Sequence, residues 1–130
     1  MRRRPDDGST TLEVAILGPA LLALIFAVVQ AGLWFYARSL ALAAANEGVT
    51  AGRAYQAPAG AGVARAQTFI ADHAGDSLLD AAVGDGGSDA TTVRIRVTGR
   101  ALSVLVGFDG LTITQSAEAP RERFTTEVAP

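Results

Sequence analysis

Three groups of residues have types and spacing that can do chemistry. The first is Glu13, the last charge before residues 14–36, which form the most apolar part of the chain. A carboxylate drawn into hydrocarbon costs several kcal/mol, about 3 on insertion scales. Thr10 stands three residues before it, the spacing of a capping box in which hydroxyl and carboxylate satisfy the free amides of a helix start. The positive end of a helix dipole also favours a negative charge there. The second group is His73 with Asp72, Asp76 and Ser77, in ADHAGDS. A nucleophile, a base and an orienting acid must converge in space, no motif places them, and a histidine on a helix surface is the better reading. The third is the acidic turn GDGGSD at residues 84–89. It lacks the ligand spacing of an EF-hand and reads as a solvated, flexible turn rather than a calcium loop. No catalytic residue, metal site or cofactor motif emerges, and the chain is not expected to be an enzyme.

Composition narrows the classes further. With 130 residues and one long apolar run, the chain has room for one small additional domain. It contains no Cys and one His, which removes disulfide frameworks, thiolate metal sites and the common histidine-rich ones. Its 11 basic residues are all Arg, and 13 acids oppose them for a net charge of -2, so no basic surface points to a nucleic-acid partner.

The element that must position Glu13 is the apolar run on its C-terminal side. Residues 14–36 carry no charge; at about 1.5 Å per residue they reach about 35 Å as a helix, enough to cross a hydrocarbon core of about 30 Å. Trp34 and Tyr36 suit the headgroup level and Arg38 the water beyond it. Arg2, Arg3 and Arg4 precede the run, so the positive-inside rule keeps the N-terminus cytoplasmic and puts the rest of the chain outside the cytoplasmic membrane. The run is too long for the apolar core of a secretory signal peptide, despite ALA at residues 41–43.

Residues 37–56 are rich in Ala and free of Pro, so the helix is expected to continue outward as a stalk, weakened by Gly48 and Gly52, until PAGAG at residues 58–62 breaks it. A second helix is expected over residues 61–80, where Val63, Ala66, Ile70, Ala74 and Leu78 recur at helical spacing. The period then becomes two: Val93, Ile95 and Val97 alternate with Arg94, Arg96 and Thr98, and Leu111 and Ile113 with Thr112 and Thr114. These read as two half-buried strands, paired antiparallel. The apolar connection at 101–108 is expected to be core under the second helix, as a short helix or a strand extension; the competing reading is a contact surface for a partner or the outer leaflet. The fold class is therefore α+β, a long transmembrane and stalk helix carrying a small domain with one helix packed on an antiparallel hairpin or small sheet. The divisions fall at residues 1–8, 9–57 and 58–130.

The order of basic leader, Gly8, four residues, Glu13 and an apolar run resembles a prepilin-type processing site. More narrowly, residues 8–53 resemble the TadE-like family of pilus-assembly proteins, pseudopilins of the tight-adherence system. The resemblance rests on Gly8, Glu13, Pro19 six residues after it, the span end FYAR, and AAANEGVTAGR. Val14 and Ser9 depart from residues common in such proteins, which often carry aromatics there. The resemblance implies cleavage after Gly8 by a prepilin peptidase, leaving Ser9 as the new N-terminus, with its amine pairing with Glu13 of a neighbouring subunit. It further implies close helix packing at Pro19, Ala27, Ala31 and Gly32. The partners it implies are the membrane, other pilin or pseudopilin subunits, and the inner-membrane platform with its ATPase. The alternative is an unprocessed signal anchor carrying an extracytoplasmic binding domain.

Overall fold

The computed structural model describes residues 7–125. Of the leader expected at residues 1–8, residues 1–6, with Arg2, Arg3 and Arg4, lie outside the described residues. The first element, α1 (Asp7–Arg53), is a helix of 47 residues, about 70 Å long at 1.5 Å per residue. It passes through Pro19 and the stalk without interruption. The two halves bury different amounts. Up to Val29 every side chain from Gly8 on is exposed, whereas from Gln30 onward Ala37, Leu40, Ala41, Ala44, Ala45, Gly48, Val49 and Gly52 are buried at spacings of three and four. That spacing is one helical stripe, and it faces the rest of the molecule.

A turn closed by Ala57 N–H donating to Ala54 O ends the long helix just ahead of Pro58. The chain then returns as α2 (Ala61–His73), packed along the C-terminal half of α1. Two glycines make that approach possible. A Cβ on Gly48 would lie 2.7 Å from Gly62 O and 3.0 Å from Ala66 Cβ, and a Cβ on Gly62 would lie 2.7 Å from Gly48 O. Gly48 does weaken a helix in isolation; here it is the point where two helix backbones meet.

The sheet has three strands, β1 (Leu78–Asp85), β2 (Thr92–Ala101) and β3 (Thr112–Pro120), antiparallel in that order. Opposed pairs such as Val83 with Val97, Ile95 with Ala117 and Gly99 with Ile113 set the register. On β2 the alternation is complete: Val93, Ile95, Val97, Gly99 and Ala101 are buried. They pack with Ile113 and Leu78 against the Ala-rich stripe of α1, while α2 covers the β1 side. The domain is thus α+β, a second helix and a three-stranded antiparallel sheet built onto the distal half of the long helix.

Two expectations need correction. The second helix ends at His73, not near Asp80. Gly75, at φ +48°, adopts the left-handed conformation that stops a helix, and a 3-10 turn (Gly75–Ser77) leads into β1. Ala74 and Leu78 are buried as their spacing implies, but Leu78 reaches the core as the first residue of a strand opposite Ala101. A bulge between Leu79 and Ala82 places Asp80 at φ +50°. The second correction concerns residues 101–108. Ala101 ends β2 inside the core, but residues 102–108 do not lie under α2. After Ala101 the chain forms an irregular loop along the flank of α1, with Val104, Leu105, Val106 and Phe108 exposed. Gly110, at φ +82°, closes this loop where a Cβ would sit 2.1 Å from Ala101 O.

Candidate functional site

Glu13 lies one to two turns into α1, exposed, with Thr10, Val14, Leu17, Gly18, Leu21 and Leu24 on the same side of the helix. This is an uncovered apolar stripe with a carboxylate near one end. Thr10 is inside the helix, so the capping box expected at Thr10 and Glu13 does not form at a helix start there. At 3.6 residues per turn Glu13 is about 100° around the axis from Gln30. The chain's own domain occupies the distal half of the helix and leaves the first half, Glu13 included, uncovered.

Gly8 and Ser9 are exposed on the first turns of α1, and a Cβ on Gly8 would meet nothing within 4 Å beyond its own helix neighbours. Pro19 is exposed on the same half. Ala27 and Ala31 border a groove shared with Gln30, Trp34, Leu105, Phe108 and Leu111, whereas a Cβ on Gly32 would meet nothing within 4 Å. The structure therefore sets Ala27 and Ala31 beside the loop from the sheet and leaves Gly32 open.

At the distal end of the apolar run the aromatic residues form a small group. Trp34 and Phe35 meet edge to face at 4.9 Å, and the Arg38 guanidinium lies 5.8 Å from the Trp34 ring centre. This is the cation–π geometry expected of an aromatic ring beside the first charge past the run.

Gln30 is the residue that sequence reasoning missed. It is buried, its Nε2 donates to Leu102 O at 3.1 Å, and its Oε1 accepts from Val104 N at 3.0 Å. Both ends of the amide are used, which ties the long loop to the helix. The signal was available, since Gln30 is the only side-chain amide within residues 14–36, and a polar group in such a run needs a partner.

The rest of the domain surface reads as scaffold. Arg94 pairs with Glu118 and Arg100 with Asp80 across the open face of the sheet, while Arg65 pairs with Glu47 at 3.0 Å between the helices. Arg121 links three segments: its Nε donates to Asp89 O at 3.0 Å, its Nη1 to Gly52 O at 3.4 Å, and its backbone N–H to Thr91 O at 2.8 Å. It places a cation at the C-terminus of α1, where exposed carbonyls favour one.

The acidic turn is ordered by its own carboxylates. Asp85 Oδ1 accepts from Ser88 N at 2.7 Å, and Asp89 Oδ1 accepts from the amides of Thr91 and Thr92. Hydrogen bonds from Ser88 hold the Asp85 carboxyl below its ordinary range, and those from Thr91 do the same for Asp89. His73 lies on the surface of α2, stacked on Phe69 at 4.3 Å, with Nδ1 3.0 Å from Phe69 O. Among the described residues no group of three His, Asp or Glu side chains converges on a common point.

α1 is also the one helix among the described residues long and apolar enough to cross a membrane. Residues 8–50 match the model of a family described as TadE-like protein. The match covers Gly8, Glu13, Pro19, the aromatic cluster, Gln30 and Gly48, and ends shortly before the long helix does. Neither the curated proteins nor the solved structures contain a match to this chain.

Proposed function

We propose that this chain is a TadE-like minor pseudopilin, a non-enzymatic membrane component that docks laterally with other pilin-like helices during assembly of a tight-adherence pilus or a related secretion apparatus. The match of residues 8–50 to the TadE-like model supports a component associated with pilus assembly. The observation that supports the finer reading is Glu13, exposed at the head of an apolar half-helix that the chain's own domain leaves uncovered on every side.

In this reading α1 spans the cytoplasmic membrane once, with the three arginines cytoplasmic and the domain outside. A prepilin peptidase removes residues 1–8 and leaves the Ser9 amine. A charged amine and a carboxylate at the edge of a bilayer each carry a desolvation penalty that the other relieves, so Glu13 of one subunit and Ser9 of its neighbour set the register of two helices. Leu17, Gly18, Leu21 and Leu24 then supply a packing surface with one small residue for close approach. The inner-membrane platform and its ATPase act on the docked subunits.

The test is Glu13→Gln in the full chain, together with N-terminal sequencing of the membrane-extracted protein. The unsubstituted chain should begin at Ser9. The amide variant should be processed and present at normal level, while crosslinking within the membrane to pilin-like partners falls by a factor of hundreds. Orphaning one member of a buried pair costs about 3 to 5 kcal/mol, which gives that factor. Unchanged crosslinking would remove the pairing role, and an intact Met1 would favour an unprocessed anchor.

A further inference from the structure

We infer that the loop at residues 102–111 is a second membrane contact, with Leu105, Val106 and Phe108 seated at the boundary of acyl chains and headgroups beside α1. This rests on α1 being a membrane span. The loop carries no charge until Asp109, and its apolar side chains point away from the core. Val106 is fully exposed and Leu105 and Phe108 are about two-fifths exposed, an arrangement that costs free energy in water and suits a lipid surface.

Position selects lipid as the occupant. Gln30 grips Leu102 O and Val104 N, so the loop is fixed at the level of Gln30 rather than beyond the end of the apolar run. At 1.5 Å per residue, Gln30 lies about 9 Å inside Tyr36 and about 12 Å inside Arg38 along the axis. Trp34 shares the groove with Leu105 and Phe108 at that depth, and Trp is a residue of the headgroup boundary. A loop held there has lipid as its neighbour on the side away from the helix.

Part of the loop backbone is satisfied within the chain, while the amides of Val106 and Gly107 at its tip are left to the headgroup side. Exposed amides are costly where water is scarce. Val104 N donates to Gln30 Oε1, Leu105 N to Ser103 Oγ at 3.2 Å, and Phe108 N to Leu105 O at 3.3 Å. Arg100 and Asp109 mark the aqueous ends of the loop, where Arg100 Nη1 donates to Asp109 O at 3.1 Å. A charged base with an uncharged apolar tip is the pattern of an interfacial anchor.

Single cysteines are clean reporters because the chain has none. Three variants of the full chain, Val106→Cys, Leu22→Cys in the span and Ser116→Cys on the open face of β3, are labelled with an environment-sensitive fluorophore. They are reconstituted in vesicles of zwitterionic and anionic phospholipid carrying a quencher on the acyl chain. Val106 and Ser116 are exposed, so neither substitution opens the core. The expected result is strong quenching at position 22, at least threefold quenching at position 106 with a shift to shorter wavelength, and none at position 116. Adding Val106→Asp to a Leu105→Cys reporter should abolish most of that signal. Quenching at 22 but not at 106 overturns the loop contact and leaves the span standing. No quenching at any site overturns both. A label at 106 shielded from aqueous iodide, unquenched by lipid and crosslinked to another polypeptide also overturns the proposal, because a protein then covers the loop.

Discussion

The two halves of α1 are one continuous helix written for two surroundings. From Val14 to Val29 the side chains are apolar all round, and the large ones, Leu, Ile, Val and Phe, are exposed between small ones such as Gly18, Ala20 and Ala23. After Trp34 the inward positions are mostly small, Ala37, Ala41, Ala44, Ala45, Gly48 and Gly52 with Leu40 and Val49 among them, and the outward ones include Arg38, Ser39, Asn46 and Thr50. A helix hydrophobic all round needs an apolar medium, whereas one with a narrow stripe of small residues needs a protein partner close by. In the proposed membrane span bulk serves the first half because lipid fills gaps. Smallness serves the second because a second helix and a sheet must approach its backbone.

The most direct way to break this contrast is to put bulk where smallness is required. Gly48→Leu drives a side chain into Gly62 O and Ala66. It should destabilise the domain by about 3 kcal/mol or more, the upper range of overpacking. Chemical unfolding in detergent, followed by Trp34 emission and by proteolysis of the domain, should show the loss. A change of the same kind at Gly32, where nothing lies within reach, should leave domain stability alone. Equal losses at both sites would mean that the two halves do not differ as described.

Gln30, at the junction, sharpens the comparison. Gln30→Leu suits the apolar half better but leaves Leu102 O and Val104 N without their partner, a cost of about 1 to 3 kcal/mol where water is scarce. Membrane insertion should be unaffected, while exchange of the Val104 amide speeds up by about tenfold or more, at 1.4 kcal/mol per factor of ten. Unchanged exchange would show that the loop is held by its apolar contacts alone.

The smallest expected effect lies far from the apolar run. Asp85 and Asp89 have carboxyls lowered from 3.8 by turn hydrogen bonds. Their folded values lie below their unfolded ones, so the stabilisation is complete above about pH 4 to 5 and declines as pH falls through the lowered values. Both are exposed, so the loss should be local. The amide shift of Ser88 should follow the Asp85 carboxyl and that of Thr91 the Asp89 carboxyl, each below pH 3.8, while those of α1 hold still. A transition of these amides near neutral pH would contradict the hydrogen bonds to the turn carboxylates.

Local pattern carried much of the architecture. The uncharged run, the Pro58 break, the helical start at Ala61 and the period of two in β2 are statements about neighbours a few residues apart, so they were legible without coordinates. The placement of Glu13 at the head of an apolar run was equally plain, because the cost of a charge near hydrocarbon depends on the residues adjacent to it in the chain.

Contacts between distant residues were decided elsewhere. Leu78 satisfied a helical spacing and yet entered a strand, because Gly75 reversed the backbone and Ala101 offered a partner 23 residues away. Gly48 looked like a weakness in a helix until Gly62 came against it. The loop at 102–111 has the composition of a core and lies on a surface, because Gln30, 72 residues from Leu102, holds it to the helix. Periodicity records which side of an element is apolar. The partner that side meets depends on closures of the chain that no short window contains, and in this protein those closures folded a domain onto the distal half of a long apolar helix.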